Sequence, residues 1–296
     1  MTQTFKGKVA VITGASRGIG KRVAEALLER GAYIVIGDVL DREGEALVTE
    51  YNKNDKRAAY LHCDVTKYKD NVALFKLAEK EFGGVDIAIL NAGIAGGANN
   101  LFGPLDDEKD EKMIDINVTS VIKGTKVATL SLARRGGGVI VNTASMAGLF
   151  NGPIALAPYI ASKHAVVGYT RSLDLLPSVC NVRANCVCPY WVQTDLIDSL
   201  NRTESNANKD PFEILVANSP RTKIETVVEA FLVLIEDETR VGQTLLALPD
   251  GIKVHDRPAP YDSTKVELVH IQQYGKDAIA DAKIELAKAL ERYETM

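Results

Sequence analysis

A tyrosine and a lysine stand four residues apart in "PYIASKHAVVG" (158–168), an apolar stretch whose pattern reads as helix. At that spacing Tyr159 and Lys163 project from the same side. A phenol, with an ordinary pKa of about 10, is a poor base at neutral pH, but a neighbouring ammonium stabilises its anion. A tyrosine so placed can take a proton from an alcohol or return one to a carbonyl oxygen. Ser145 stands fourteen residues before Tyr159, at the end of "GVIVNTAS" (138–145). Each residue alone is commonplace, and a lone Tyr-x-x-x-Lys is most often packing. Their joint occurrence points to acid–base chemistry on an alcohol or carbonyl.

Nearer the N-terminus, "VITGASRGIGKR" (11–22) supplies a place for a dinucleotide. Gly14, Gly18 and Gly20, with Ser16, Arg17 and Ile19 between them, permit a tight turn that brings backbone N–H groups close to an anion at a helix N-terminus. Asp38 follows Gly14 by 24 residues, near the distance expected for a carboxylate on the adenosine ribose. A carboxylate there accepts from a 2′-hydroxyl and repels a 2′-phosphate, so NAD is expected over NADP. Arg17 argues the other way, since a guanidinium could meet that phosphate, but a close repulsion selects more strongly than an optional attraction. Val39 adjoins Asp38, while Cys63, Asp64 and Val65 are placed to contact adenine. In "NAG" (91–93), Asn91 is expected to bond a ribose or neighbouring backbone, and Ala92 and Gly93 let the chain pass close to the cofactor.

The elements that must hold these groups alternate along the chain. Strand-like runs at 8–13, 33–38, 58–64, 86–91, 138–145, 182–188 and 244–249 are separated by helical patterns at about 19–30, 42–52, 68–82, 108–134, 157–176 and 224–236. That order predicts an α/β fold: a Rossmann-type, doubly wound, seven-stranded parallel sheet flanked by helices. Gly31 reads as a C-cap glycine and Pro177 as the end of the helix holding Tyr159. Two regions break the alternation. Residues 196–221 are polar and too long for an ordinary connection, so they are expected to form a lid. The tail at 255–296 places Ile279, Ala282, Leu286 and Leu290 near helical spacing, which predicts a C-terminal amphipathic helix packed on its own domain or on a second subunit. The domain itself is taken as 1–254.

Composition narrows the partners. The 296 residues are 46% hydrophobic with a net charge of −4, enough for one large core and no basic field for nucleic acid. No apolar run approaches the roughly 18 residues of a membrane span, and the N-terminus lacks a signal peptide's pattern, so a cytoplasmic protein is expected. The four cysteines and four histidines show no metal-ligand spacing, and no metal is expected. Cys63, Cys186 and Cys188 read as small buried side chains.

Taken together, TGxxxGxG at 13–20, NAG at 91–93, Asn117 in "DINVTS", Ser145, Tyr159-x-x-x-Lys163 and P-x-x-V-x-T at 189–194 resemble the short-chain dehydrogenase/reductase family over about residues 5–252. The resemblance implies hydride transfer between a carbinol carbon and a nicotinamide, with Tyr159 as general base or acid and Ser145 on the substrate oxygen. Lys163 is implied to bond the nicotinamide ribose, Asn117 to support a water relay to Lys163, and Pro189, Val192 and Thr194 to contact the cofactor. It also implies a homodimer or homotetramer through the helices at 108–134 and 157–176.

Within the family, "CDVT" (63–66), "YIASKHAVVGYTRS" (159–172) and "LIEDETRVGQTLLAL" (234–248) are similar to a branch that oxidises secondary alcohols on long apolar chains with NAD. Members of that branch carry a glutamine three residues before the tyrosine, where this chain has Leu156. The usual Pro-Gly after the sixth strand is Pro189-Tyr190 here, followed by Trp191. One polar contact is lost and aromatic bulk is gained. The expected substrate is therefore a small hydrophobic alcohol or ketone held among Ser145, Leu156, Tyr159, Tyr190, Trp191 and the lid, and different from that branch's own. Two other readings stay open: an NADP(H)-dependent ketoreductase of a biosynthetic pathway, and a non-catalytic dinucleotide-binding regulator. A sugar-nucleotide epimerase fits less well, because only some 40 residues follow the last expected strand.

Overall fold

Apolar runs such as "VAVIT" are too short to close on themselves and bury both faces only inside a sheet covered by helices. A computed structural model, which describes residues 4–95, 105–198, 211–259 and 267–296, contains such a sheet. In chain order its elements begin with β1 (Val9–Thr13), α1 (Gly18–Glu29), β2 (Tyr33–Asp38), α2 (Asp41–Tyr51), β3 (Ala58–His62), α3 (Tyr68–Phe82) and β4 (Ile87–Leu90). Then come α4 (Asp107–Ile114), a π-helical turn (Asp115–Thr119), α5 (Ser120–Arg135), β5 (Gly138–Thr143), α6 (Ala157–Arg171), α7 (Leu176–Cys180) and β6 (Val182–Pro189). The chain ends with α8 (Asp195–Asp198), α9 (Pro211–Asn218), α10 (Ile224–Glu236), β7 (Thr244–Leu248), β8 (Gly251–His255) and α11 (Leu268–Glu294).

The strands lie in the order β3-β2-β1-β4-β5-β6-β7-β8. β1 is bordered by β2 through Val11↔Val35 and by β4 through Val11↔Ala88, both parallel. The chain thus winds outward from β1 in one direction, returns to β4 and winds outward in the other. Ligands of such sheets bind outside the carboxyl ends of the strands at that reversal. Alternate residues serve two cores. Ala10 and Ile12 of β1 pack with Val23 and Leu27 of α1 and Phe231 of α10, whereas Val9 and Val11 pack with Leu74 and Phe75 of α3, Leu132 of α5 and Val166 of α6.

The seven expected strands are all present and mutually parallel; the additional strand is β8. It pairs antiparallel with β7, from Leu248↔Gly251 to Thr244↔His255, across the two-residue turn Pro249-Asp250. Gly251 takes φ 123°, which suits glycine at such a turn. No residue of β8 is fully buried and Lys253 and Val254 are exposed, so "GIKVH" lacks the apolar run that marked the other strands.

Three helices differ in detail from expectation. The helix expected over 108–134 is interrupted by the π-turn centred on Asn117. The helix carrying Tyr159 ends at Arg171, well before Pro177, which instead lies in the first turn of α7, where its missing N–H costs nothing. The lid region begins and ends in α8 and α9, and its residues 199–210 lie outside the described residues. As expected, α1 ends at a C-cap followed by Gly31 with φ 100°. Among the described residues no helix is long and apolar enough to cross a membrane.

The tail helix docks on its own domain. Tyr293, 1% exposed, donates from its hydroxyl to Glu79 Oε1 at 3.0 Å, and Lys76 Nζ lies 4.0 Å from its ring centroid. Ser131 and Arg134 of α5 bond the same Glu79 carboxylate, so Tyr293 completes a network that joins α3, α5 and α11. Tyr293→Ala is expected to cost roughly 3–5 kcal/mol, as for other buried aromatics, and to lower Tm by several degrees with turnover per folded molecule unchanged. Thermal melts beside steady-state assays check this; an unchanged Tm would mean that the tail is not anchored there.

Candidate active site

The turn after β1 is a consequence of its glycines. Gly14 has φ 65°, and a Cβ there would lie 2.7 Å from Ala92 Cα, so only glycine lets the end of β1 pass the end of β4. Asp38, 8% exposed at the end of β2, holds the turn in shape: Oδ2 accepts from the Ser16 amide at 2.9 Å, and Oδ1 from the amides of Val39 and Leu40 at 2.8 and 3.2 Å. A carboxylate has about four acceptor positions, so one remains for a further donor such as a ribose hydroxyl. The Ser16 hydroxyl is buried, with no hydrogen-bond partner among the described residues. These features fit a dinucleotide.

At the end of β3, burial pushes the Cys63 thiol up to about 12, with nearby Asp70 adding to it, so this cysteine is an inert wall. Burial alone would raise Asp64, but hydrogen bonds from Thr66 and Lys67 outweigh it and hold its carboxyl below the usual range. At the end of β4, Asn91 takes the second of its two expected roles. Its side chain donates to Gly14 O at 2.9 Å and Thr13 O at 3.2 Å and accepts from Thr143 Oγ1 at 3.2 Å, which stitches the ends of β1, β4 and β5 together. Thr13 Oγ1 in turn accepts from the amides of Asn91 and Ala92.

Ser145 leaves β5 in extended conformation and accepts from the Ala147 amide at 3.1 Å, which starts a short helical turn over Met146–Gly148. Tyr159 and Lys163 lie on one side of α6, with the ammonium 5.7 Å from the phenol's ring centroid. Lys163, 4% exposed, donates to Thr143 O at 3.0 Å, which fixes it to the end of β5. The expectation of a phenol held low by its cationic neighbour is not met by the protein's own groups. Burial is the larger effect and pushes Tyr159 up, against a lowering hydrogen bond with Ser145. Burial likewise pushes Lys163 down to about 8. Both shifts favour the neutral forms in a low-dielectric site.

Asn117 is fully buried in the π-turn, and its side chain is spent on structure. It accepts from the Ile94 amide at 2.9 Å and donates to Ile94 O at 2.8 Å and Ser162 Oγ at 3.1 Å. It still approaches the reacting end: a carbon added at Gly93 would lie 3.2 Å from Asn117 Oδ1 and 3.5 Å from Lys163 Nζ. Single π-turns of this kind often mark functional sites.

One cavity of about 620 Å³ brings most of the expected residues together. Its nucleotide end is lined by Gly14, Arg17, Gly18, Ile19, Asp38 and Val39, then by Cys63, Asp64, Val65, Asn91, Ala92 and Gly93. Its other end is lined by Ser145, Leu156, Tyr159, Lys163, Tyr190 and Trp191, with Pro189, Val192 and Thr194 along the side. Ser16, Gly20 and Asn117 do not line it. Gly20 is a packing residue, since a Cβ there would meet Gly14 O at 2.5 Å. Arg17, expected either to meet a phosphate or to lie free in solvent, is paired with Asp195 at 3.5 Å, both side chains more than half exposed. Sequence reasoning missed Ile94, Ile116, Phe150, Ile160 and Leu215 on the wall. They belong to loops and helix faces where an apolar residue has no distinguishing pattern.

A family model described as short chain dehydrogenase matches residues 8–205. The 15-hydroxyprostaglandin dehydrogenase (NAD(+)) of Homo sapiens is 33% identical over 272 residues, covering 87% of this chain and 96% of that protein. The 3-oxoacyl-(acyl-carrier-protein) reductase of Vibrio cholerae is 34% identical over 241 residues, covering 81% of this chain and 96% of that protein. The crystal structure of a short-chain type dehydrogenase/reductase from Mycobacterium marinum superposes with a TM-score of 0.73 at 30% identity, covering 83% of this chain and 96% of that one.

Proposed function

The chain belongs to the short-chain dehydrogenase/reductase family, and from that premise we propose that it interconverts a bulky, hydrophobic secondary alcohol and its ketone, with NAD(H) in preference to NADP(H). The coarser statement follows from the family and its relatives: an NAD(H)-dependent oxidoreductase acting on a CH–OH/C=O group through a tyrosine. The observation that supports the finer one is the continuity of a single cavity from Asp38, past Ser145, Tyr159 and Lys163, to a wall built of Leu156, Tyr190 and Trp191.

The residues divide the task by their chemistry. Asp38, the glycine loop and the ends of β3 and β4 would hold the adenosine end of the cofactor; Lys163, Pro189, Val192 and Thr194 flank the reacting end. When bound, an oxidised nicotinamide supplies the two-electron acceptor for the carbinol carbon. Ser145 Oγ holds the substrate oxygen, and Tyr159 Oη takes its proton in oxidation or returns it in reduction. The phenol must ionise for this, against the burial that raises it. Lys163, Ser145 and the positive charge of the oxidised cofactor all act in the favourable direction. Asn117, by fixing Ile94, keeps the end of β4 clear beside Lys163.

Asp38 supports NAD, because its buried, amide-bound carboxylate cannot swing away from a 2′-phosphate, and Arg17 already has an anionic partner in Asp195. Assembly through α4–α5 and α6 is part of the same reading, as is a lid formed by 196–221. Turnover of a panel of bulky and small secondary alcohols, with NAD and NADP in parallel, tests it. The expected result is a kcat/KM about tenfold or more higher for bulky apolar alcohols and for NAD. Equal rates on small polar alcohols would remove the substrate part of the reading, and a preference for NADP the cofactor part.

A further inference from the structure

Every charged side chain among the described residues that line the cavity already has an electrostatic or hydrogen-bonding partner, or serves the nucleotide end. Asp38 is held by three backbone amides and Asp64 by Thr66 and Lys67. Arg17 and Asp195 pair with each other, so together they contribute no net charge to the mouth. Lys163 is buried beside Tyr159 and bonded to Thr143 O. Beyond Ser145 the wall is Ile94, Ile116, Leu156, Ile160 and Trp191, with the neutral polar groups of Asn151, Tyr190 and Ser219. The apolar lining runs out to solvent: Phe150 and Leu215 line the cavity and are yet 52% and 47% exposed. Among the described residues that line it, a ligand that reaches the mouth therefore finds no unpaired cation either. Behind that rim stand His255, edge-on against Phe150 with ring centroids 6.4 Å apart, and Arg221, whose guanidinium is taken up by the carbonyl oxygens of Ser219 at 3.0 Å and Val216 at 2.7 Å; neither lines the cavity.

We propose that the substrate is an uncharged secondary alcohol or ketone, an apolar skeleton bearing no carboxylate, phosphate or other anionic group, selected because the described residues lining the substrate half of the cavity offer such a group no counter-charge. This rests on reading the cavity as an alcohol/ketone site and adds the charge of the molecule that enters it. An anion pushed against this wall would shed its water and gain no ion pair, which is far more costly than burying a neutral polar group that finds a hydrogen bond. A neutral molecule needs only one strong polar contact, to Ser145 and Tyr159, and gains from the rest of the wall.

Three versions of one bulky secondary alcohol, bearing a carboxylate, its primary amide or its methyl ester at the end remote from the hydroxyl, separate charge from shape. They are assayed with saturating NAD at pH 8. The ester and amide are expected to exceed the acid in kcat/KM by roughly 10²-fold, mainly through KM, because the acid and the amide have the same shape and differ in charge. A carboxylate turned over as well as the amide overturns the inference, whichever residue supplies the charge, and leaves the alcohol/ketone reading standing. Failure to turn over any of the three, or any alcohol of the wider panel, overturns both.

Discussion

Replacing Tyr159 by Phe is expected to lower kcat by roughly 10²–10⁴-fold while leaving dinucleotide affinity nearly unchanged. The substitution removes one oxygen and keeps the ring, so the packing of α6 and the position of Lys163 are retained. What is lost is the atom proposed to exchange a proton with the substrate oxygen. The binding half of the result has its own probe, since the chain's one tryptophan, Trp191, lines the cavity and its fluorescence should report the cofactor. Turnover within tenfold of the parent would mean that another group carries the proton. A biological effect that survives in the inactive variant would favour the reading of a dinucleotide-binding regulator.

Lys163→Met should produce the other large loss of activity, about 10²-fold or more, together with a pH signature that a merely structural residue would lack. Burial lowers the Lys163 pKa to about 8, against an unfolded value of about 10.4. Between those values the unfolded chain binds more protons than the folded one, so this lysine makes stability rise with pH across that window. Below pH 8 both states are charged and the cost of burying the ammonium is fully present, on the order of 3 kcal/mol. The Met variant is therefore expected to melt above the parent at pH 7, with the difference shrinking as pH approaches 10. A Tm difference that stays flat from pH 7 to 10 would show that the ammonium is not buried at this cost. Tyr159, raised by burial, is present in both proteins, so its own pH dependence cancels in the Tm difference.

The two signatures were readable in the sequence to different degrees. Strands β1 to β7 were legible because strands covered on both faces are runs rich in apolar residues, a local property of four to eight residues. β8 was not, because "GIKVH" is an edge strand with no fully buried residue and its pairing depends on the turn before it. Pro177 misled because proline marks either the end of one helix or the first turn of the next, and local sequence does not choose between them. The π-turn around Asn117 had no pattern of its own, since it arises where α4 and α5 are joined against Ile94 and Ser162.

The candidate site divides in the same way. Ser145, Tyr159, Lys163 and the glycine loop are marked by residue type and spacing along the chain, and spacing is what a sequence contains. Which side chains would be spent on the fold was decided in three dimensions. Asn91 turned to the backbone of β1, Arg17 to Asp195, and Asn117 to the loop after β4.

By itself, then, the sequence determined the order of strands and helices and the set of groups able to move a proton and cradle a dinucleotide, because periodicity and glycine chemistry act within a few residues. Only the tertiary structure decided which carboxylates and cations are neutralised and how deeply Tyr159 and Lys163 are buried. It also left the far wall of the cavity without a free charge among the described residues. Burial and electrostatic pairing depend on distances between segments far apart in the chain, and those exist only once the sheet has brought their ends to one edge.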